Sequence, residues 1–210
     1  MCCNFCAKRY SEVSVSSVKV AATDPVKMEA IRKITTSLPG LFILEPRVFG
    51  DERGFFLESY NEKSFADVGI SRRFVQDNHS CSQRHVLRGL HYQIQQAQGK
   101  LVRVVEGEIL DVAVDLRRSS ATFGRWEATR LSGENKRMLW IPEGFAHGFR
   151  VASEKAHVLY KATDYYAPQF ERTLAWNDPD LKVDWELNGA PIVSAKDQRG
   201  IALRDAETFE

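Results

Sequence analysis

The sequence predicts an all-β fold, a sandwich or jelly-roll barrel with a few short helices, and three observations predict it. Short apolar runs recur from Leu38 onward, with Gly, Asn, Asp or Pro between them. Several runs alternate with the two-residue period of a strand. Only Glu62–Val68 has a helical pattern, with Asn61 in the position of an N-cap. Many short strands with hardly any helix are typical of sandwiches and jelly rolls.

The apolar runs predict the strands in chain order. They are Leu41–Leu44, Phe55–Tyr60, Arg73–Gln76, Leu101–Val105, Ile109–Leu116, Trp126–Leu131, Met138–Ile141, Phe149–Ala152 and His157–Thr163. The alternation is clear in the Ile109–Leu116 run, where Ile109, Asp111 and Ala113 share one face and Leu110 and Val112 share the other. Turn residues such as Gly107, Gly133 and Pro142 separate the runs.

The composition is that of an ordinary globular protein. The chain has 210 residues, of which 43% are hydrophobic and 27% are charged. This is enough apolar material for a sizeable core, which excludes the disordered, collagen-like and disulfide-scaffold classes. The formal charge of +1 provides no global field to gather nucleic acid or an anionic membrane, so neither is an expected partner. An anionic ligand must therefore be held by locally placed Arg and Lys.

The chain divides into two parts. Residues 1–33 mix Ser, Val, Ala and charge without a period and are predicted to be a flexible N-terminal extension, whereas residues 34–210 are predicted to form one domain. Three of the cysteines, Cys2, Cys3 and Cys6, crowd the extension and Cys81 stands alone, which favours reduced, unpaired thiols. No apolar run has the length of a membrane span or of a secretory signal, and we expect a cytoplasmic protein.

The densest polar segment of the chain spans residues 74–93. On a strand, Gln76, Asn78 and Ser80 point to one side. The following strand presents either the face of Arg88 or, alternatively, the face of His91. Such polar side chains are costly in a dry core, and a ligand cavity inside a barrel would supply their partners.

A second cluster, residues 140–149, contains Pro142, Gly144 and His147 in the pattern P-x-G-x-x-H. This pattern resembles the second motif of cupins, which are jelly-roll barrels. In metal-binding cupins the first motif supplies an H-x-H pair, but here Gln93 stands where the second histidine would be, after His91. One histidine from each motif falls short of the usual ligand set, so we expect no metal and no other cofactor.

Without a metal, side chains must do the chemistry. His91 is a candidate base near neutral pH, and Lys100 is a cation that could hold developing enolate charge. The phenols that could return a proton are Tyr160, Tyr165 and Tyr166, and the late charged residues are Lys196 and Asp197. Such a set suits proton abstraction next to a carbonyl.

Ordered motifs along most of the chain closely resemble the dTDP-4-dehydrorhamnose 3,5-epimerase family. They are residues 51–58 (DERGFFLE), 76–80 (QDNHS), 86–93 (VLRGLHYQ), 99–103 (GKLVR), 141–149 (IPEGFAHGF), 176–179 (WNDP) and 194–197 (SAKD). The resemblance implies a metal-free cupin-like jelly roll that works as a homodimer. It implies that the substrate is dTDP-4-dehydro-6-deoxy-D-glucose, inverted at C3 and C5 to dTDP-4-dehydro-L-rhamnose.

The resemblance also implies roles for individual residues. His91 would be the proton acceptor and Asp197 its orienting partner, while Tyr160 would be the proton donor and Lys100 would steady the enolate. The positions that match ligand contacts are Arg53, Glu58, Gln76, Asn78, Arg88, His147, Tyr166, Glu171 and Lys196. Tyr166 matches the aromatic residue that stacks on thymine, and Arg53 and Glu58 would serve the site of the neighbouring subunit.

Two other functions remain open. Relatives that epimerise only C3 or only C5 share the same His and Tyr, and a non-catalytic sugar-nucleotide-binding cupin would need neither His91 nor Tyr160. The chain departs from the family pattern at Cys81, where a basic residue is expected, and at His85, where Gly or Asn is usual.

Overall fold

The computed structural model describes residues 30–210, so Cys2, Cys3, Cys6 and most of the predicted extension lie outside the described residues. In chain order the strands are β1 (Ile31–Thr35), β2 (Phe42–Pro46), β3 (Val48–Asp51), β4 (Gly54–Leu57), β5 (Gln76–Gln83), β6 (Val86–Gln93), β7 (Lys100–Glu106), β8 (Glu108–Asp115), β9 (Trp126–Ser132), β10 (Met138–Ile141), β11 (Phe145–Val151), β12 (Lys155–Ala162), β13 (Glu171–Thr173) and β14 (Ile192–Val193).

Two sheets face each other as a cupin-like jelly roll, as the sequence predicts. The first sheet has the order β1-β2-β10-β7-β12-β5, and the second has the order β13-β6-β11-β8-β9. β14 adds a short parallel pairing to β6, and β3 and β4 form a separate hairpin. The pairing within the two main sheets is antiparallel along both orders. The strands that neighbour one another are mostly distant in sequence, which is how a jelly roll brings residues from far-apart motifs together.

Helices are short and lie at the edges of the fold. The α-helix α1 covers Glu62–Asp67, and Asn61 caps it by accepting hydrogen bonds from Lys63 N at 3.0 Å and Ser64 N at 3.3 Å. The 3₁₀ helices are Pro168–Phe170, Asp197–Arg199 and Leu203–Asp205. Among residues 30–210, no helix has the length and apolar character needed to cross a membrane.

Apolar side chains form three layers. The inner layer lies between the two sheets and includes Val102, Ile109, Phe145 and Val158. A second layer, around Trp185 and the other residues of the C-terminal segment, covers the outside of the second sheet. A third lies under α1, on the outside of the first sheet. The second sheet is therefore covered on both sides, which explains why β8 is buried along nearly its whole length.

Most predicted elements are confirmed, and β10 coincides with the predicted run. The predicted strand at residues 73–76 is wrong for its first three residues, because Phe74 packs edge-on against Tyr60 and Trp140 and β5 begins only at Gln76. β11 begins four residues earlier than predicted, at Phe145. The first strand begins at Ile31, three residues before the predicted start of the domain.

Candidate active site

A cavity of about 570 Å³ opens between the two sheets. The strands around it alternate, so that polar residues share their inner faces with the apolar residues of the inner layer. The structure brings many of the predicted site residues into the wall of this one cavity: Arg88, His91, Lys100, His147, Tyr160, Lys196 and Asp197.

A β-bulge in β6 explains how Arg88 and His91 line the same cavity. On the neighbouring strand, His147 pairs with His91 and Phe149 pairs with Arg88, so three steps along β6 oppose two steps along β11. The two strands approach closely here, since a Cβ atom on Gly89 would lie 2.6 Å from the Cα atom of Gly148. Neither of the two alternating faces considered from the sequence is correct, because the bulge moves both polar residues inward.

His91 is joined to Asp197, as the sequence resemblance implies. His91 Nε2 lies 2.5 Å from Asp197 Oδ1, although 106 positions separate the two residues. The Asp197 side chain is buried, and Gly89 N–H lies 3.5 Å from its second oxygen. Burial raises the pKa of Asp197, but the hydrogen bonds led by the one from His91 outweigh it and hold that pKa below its ordinary value. Asp197 therefore stays a carboxylate beside the imidazole.

Lys100 and Tyr160 stand on the opposite wall. Both belong to the first sheet, on β7 and β12, whereas His91 belongs to β6 of the second sheet. Burial lowers the pKa of Lys100 to about 8, and the negative charges of Asp111 and Glu171 limit the decrease. Burial also raises the pKa of the Tyr160 hydroxyl, which keeps it a neutral phenol near pH 7.

A second histidine–carboxylate pair lies next to the first. His147 Nε2 lies 2.9 and 3.0 Å from the two oxygens of Asp111, and both residues are buried. Sequence reasoning missed Asp111 as a site residue. The available signal was an acidic residue on the same strand face as Ile109 and Ala113, where an unpaired charge would be costly.

The remaining predicted contacts form a chain of hydrogen bonds at the rim. Gln76 Nε2 donates to Asn78 Oδ1 at 2.9 Å, and the Tyr166 backbone N–H donates to Gln76 Oε1 at 2.9 Å. Tyr166 Oη donates to Glu171 Oε2 at 2.7 Å, and Glu171 also pairs with Lys196. The chain links the inner face of β5 to the end of the cavity that Lys196 lines.

Two polar side chains of β5 lack a hydrogen-bond partner within residues 30–210, and a ligand could supply one. Asn78 Nδ2 and Ser80 Oγ are buried without a hydrogen-bond partner among the described residues. Arg88 Nε donates to Ser82 Oγ at 3.0 Å, a neutral partner that leaves the guanidinium charge available. These groups could bind an anionic, oxygen-rich ligand.

The structure does not bring Arg53 and Glu58 to this cavity. Arg53 lies at the tip of the β3–β4 hairpin, where its side chain is 84% exposed and is paired with Asp51. Glu58 accepts hydrogen bonds from Asn61 at 2.9 Å and from Ser64 at 3.0 Å at the start of α1. Both residues lie on the segment that carries the exposed hairpin.

The two departures from the family pattern lie around β5 and its turn. Cys81 is exposed, on the strand face opposite to that of Ser80 and Ser82. His85, in the turn between β5 and β6, has a left-handed φ of 66°, and its carbonyl oxygen accepts a hydrogen bond from Ile192 N at 2.9 Å. Glycine and asparagine adopt this backbone conformation more readily than histidine.

The geometry defines what the cavity can do chemically. An imidazole paired to a carboxylate lies on one wall, and a neutral phenol and a lysine lie on the other, which suits proton transfer at a carbon next to a carbonyl. No group of three or more His, Cys, Asp or Glu side chains within residues 30–210 has the arrangement of a metal site.

The chain is similar to a known protein family along most of its length. The family model described as dTDP-4-dehydrorhamnose 3,5-epimerase matches residues 35–205. The dTDP-4-dehydrorhamnose 3,5-epimerase of Pseudomonas aeruginosa is 62% identical over 174 residues, which cover 82% of this chain and 96% of the relative.

Solved structures share the fold. The dTDP-6-deoxy-D-glucose-3,5-epimerase of Legionella pneumophila, in complex with dTDP-4-keto-L-rhamnose, is 52% identical with a TM-score of 0.82, over 84% of this chain and 95% of that chain. A 3′-monoepimerase from Streptomyces bikiniensis, in complex with dTDP-quinovose, is 32% identical with a TM-score of 0.76, over 80% of this chain and 86% of that chain.

Proposed function

The chain belongs to the dTDP-4-dehydrorhamnose 3,5-epimerase family, and from that premise we propose how its cavity works. The enzyme is an isomerase that converts dTDP-4-dehydro-6-deoxy-D-glucose to dTDP-4-dehydro-L-rhamnose, a step in dTDP-L-rhamnose biosynthesis. One observation carries the assignment of residues: the base candidate His91 and the acid candidate Tyr160 project from opposite sheets into the same cavity.

His91 removes the first proton. The hydrogens at C3 and C5 are acidic because both carbons adjoin the C4 ketone. The C–H electron pair moves into a new double bond to C4, and the ketone oxygen becomes an enolate. Asp197 holds the imidazole at 2.5 Å and stabilises the imidazolium that forms. The Lys100 ammonium stabilises the enolate oxygen.

Tyr160 completes the inversion. Its phenol donates a proton to the carbon from the face opposite to His91, and the enolate returns to the ketone. Because the pKa of Tyr160 is raised by burial, the hydroxyl still holds its proton at neutral pH. Proton exchange with water then restores His91 and Tyr160, and the same groups act at the second carbon.

The other predicted residues bind the nucleotide. Arg88 and Lys196 provide positive charge for the diphosphate, and His147, held by Asp111, lies in the cavity wall where it can contact the ligand. Gln76, Asn78 and Glu171 contact the ligand along the rim, and Tyr166, 52% exposed, stacks on the thymine.

The enzyme works as a homodimer in this proposal. The β3–β4 hairpin exposes Phe49, Phe55 and Phe56 to 50%, 60% and 69%, an apolar surface that a second copy would cover. Arg53 and Glu58 lie on this segment and outside their own cavity, which supports their reaching the site of the neighbouring subunit. We also assign the epimerase domain to the predicted residues 34–210 together with the first three residues of β1, residues 31–33, and place the enzyme in the cytoplasm, without a cofactor.

Proton NMR of the substrate incubated with the protein in D₂O tests the proposed function. Deuterium at both C3 and C5 is the expected result, because each inversion replaces a carbon-bound proton with one from solvent. Deuterium at one carbon only would identify a single-site epimerase. Binding without exchange would leave a sugar-nucleotide-binding module and overturn the mechanism.

A further inference from the structure

Ser194 contacts the backbone of Asp197, and the proposed function does not assign Ser194 a role. Asp197 starts a 3₁₀ helix in an otherwise irregular segment, whereas His91 sits in the middle of a strand. A carboxylate on such a turn must be fixed locally if it is to meet the imidazole at 2.5 Å.

Ser194 makes that local contact. Ser194 Oγ accepts a hydrogen bond from the Asp197 backbone N–H at 3.1 Å, and Ser194 O accepts one from Gln198 N at 3.0 Å. The contact resembles a helix cap in its spacing, but Ser194 lies two residues before Lys196, the cap residue of this 3₁₀ helix, and Lys196 makes no side-chain cap bond within the described residues. Ser194 also lines the cavity beside Lys196 and Asp197.

The strand before Ser194 ties this turn to the strand of the base. Ile192 pairs with Val86 and Val193 pairs with Leu87, so β14 runs parallel to β6 and ends at Val193, immediately before Ser194. A short route of backbone pairing therefore connects the strand that carries His91 to the turn that carries Asp197. Ser194 lies between this pairing and the turn, three residues before Asp197.

We propose that Ser194 is a positioning residue for the reaction, which acts through Asp197 by fixing the carboxylate against His91. This inference rests on the proposed function. If it is correct, loss of the Ser194 hydroxyl slows the proton-transfer step and leaves substrate binding largely unchanged, because the ligand contacts of Arg88 and Lys196 remain.

The chain provides a matched control at Ser132. Ser132 Oγ accepts a hydrogen bond from the Asn135 backbone N–H at 2.9 Å, the same contact three residues along the chain. Ser132 is buried at the end of β9, in the turn to β10, and is not part of the cavity wall. Ser132→Ala therefore reports what the loss of such a hydrogen bond does to the fold alone.

The experiment measures kcat, KM and Tm for Ser194→Ala, Ser194→Thr and Ser132→Ala. We expect Ser194→Ala to lower kcat roughly 10- to 100-fold and to change KM less than about threefold, because a small displacement of a catalytic group has effects of this size. Ser194→Thr keeps the hydroxyl and should restore kcat to within about threefold of the wild type. Ser132→Ala should lower Tm comparably without a decrease in kcat.

A second measurement needs no turnover. The imidazole N–H shared with Asp197 should give a downfield proton resonance, identified by its disappearance in His91→Asn. In Ser194→Ala this resonance should broaden or move upfield, and in Ser132→Ala it should not change.

The results separate the two proposals. A wild-type enzyme without isotope exchange would overturn the proposed function, and the resonance would still test the role of Ser194. An unchanged resonance in Ser194→Ala, or a kinetic loss confined to KM, would overturn the role of Ser194 while leaving the epimerase intact.

Discussion

The cavity wall and the β3–β4 hairpin carry predicted site residues in opposite ways. In the wall, His91 and His147 each have a buried carboxylate partner supplied from elsewhere in the fold. On the hairpin, the polar contacts of Arg53 within residues 30–210 are all with Asp51, two residues away, and its side chain remains exposed. The family pattern therefore includes residues, His91 and His147, that are held by partners within one chain. It also includes Arg53, which remains exposed to solvent.

This difference between wall and hairpin separates two parts of the proposed function, proton transfer and ligand binding. Proton transfer needs fixed geometry, and three of the residues that we propose for it, His91, Lys100 and Tyr160, lie on paired strands. Recognition of the ligand's charged part tolerates more movement, and the hairpin presents its arginine beside exposed phenylalanines that suit a contact with another copy. In our proposal, the catalytic residues belong to one subunit, and part of the binding site is formed between subunits.

Substitution of the base tests the cavity side of this comparison most severely. His91→Asn keeps a polar side chain but removes the proton acceptor, so turnover should fall by about 10²–10⁴-fold or more. Binding of dTDP, measured by calorimetry, should stay near the wild-type affinity. Near-full activity of the variant would show that another residue is the base.

Substitution of the proposed acid on the opposite wall, Tyr160, should have a smaller and different effect than substitution of His91. Tyr160→Phe removes the proton donor and should decrease product formation about 10²-fold, while deuterium still enters from the His91 side. The measurement is the ratio of isotope exchange to epimerised product by NMR. If exchange also disappears, Tyr160 acts before proton removal, contrary to the mechanism proposed above.

The hairpin side can be tested by complementation. We expect Arg53→Ala to reduce activity about 10- to 100-fold through the site of the other subunit, by the loss of a charged ligand contact. Co-expression of Arg53→Ala with His91→Asn should restore about a quarter of wild-type activity, since half of the dimers are mixed and each mixed dimer has one intact site.

Separate purification tags on the two variants isolate the mixed dimers for this assay. If Arg53 serves its own subunit, every site in a mixed dimer carries one defect, and activity will not recover. The comparison between wall and hairpin would then no longer reflect a division between subunits.

Among these tests, the pH dependence of kcat/KM should show the smallest effect. The pKa of Lys100 is lowered to about 8 by burial, so its ammonium form is complete below that pH and is lost as the pH rises through it. We expect kcat/KM, which reports ionisation of the free enzyme, to decrease about 10-fold per pH unit well above pH 8. Lys100→Arg keeps its charge and should remove this decrease. A decrease that persists in Lys100→Arg belongs to another group.

Local patterns in the sequence predict much of the fold. Asn61 identifies the start of α1 because its short polar side chain satisfies free backbone N–H groups. The run at Met138–Ile141 is apolar throughout and is buried throughout, so its bounds follow from composition alone. Phe74 misleads because an apolar residue next to a strand can belong to another layer of the core.

Local sequence patterns predict less of the site than of the fold. Motif resemblance placed His91 and Asp197 in one site, but the inward position of both Arg88 and His91 depends on a bulge set by the contact between Gly89 and Gly148. The role of Asp111 was missed because its partner lies on another strand. Contacts between strands are decided by the sheet as a whole, and a pattern along one strand does not contain them.

The bulge in β6 also limits how the length of this strand can change in evolution or by design. Inward residues fall at Val86, Arg88 and His91, and Leu87 and Leu90 face the outer layer. Deleting one residue between Arg88 and His91 would remove the bulge and leave two steps between them, and ordinary alternation would keep both side chains inward. Deleting one residue elsewhere in β6 would move the residues beyond it to the other face, because the side-chain period of a strand is two. Chains that carry this chemistry should therefore tolerate a one-residue deletion at the bulge more readily than one elsewhere in this strand.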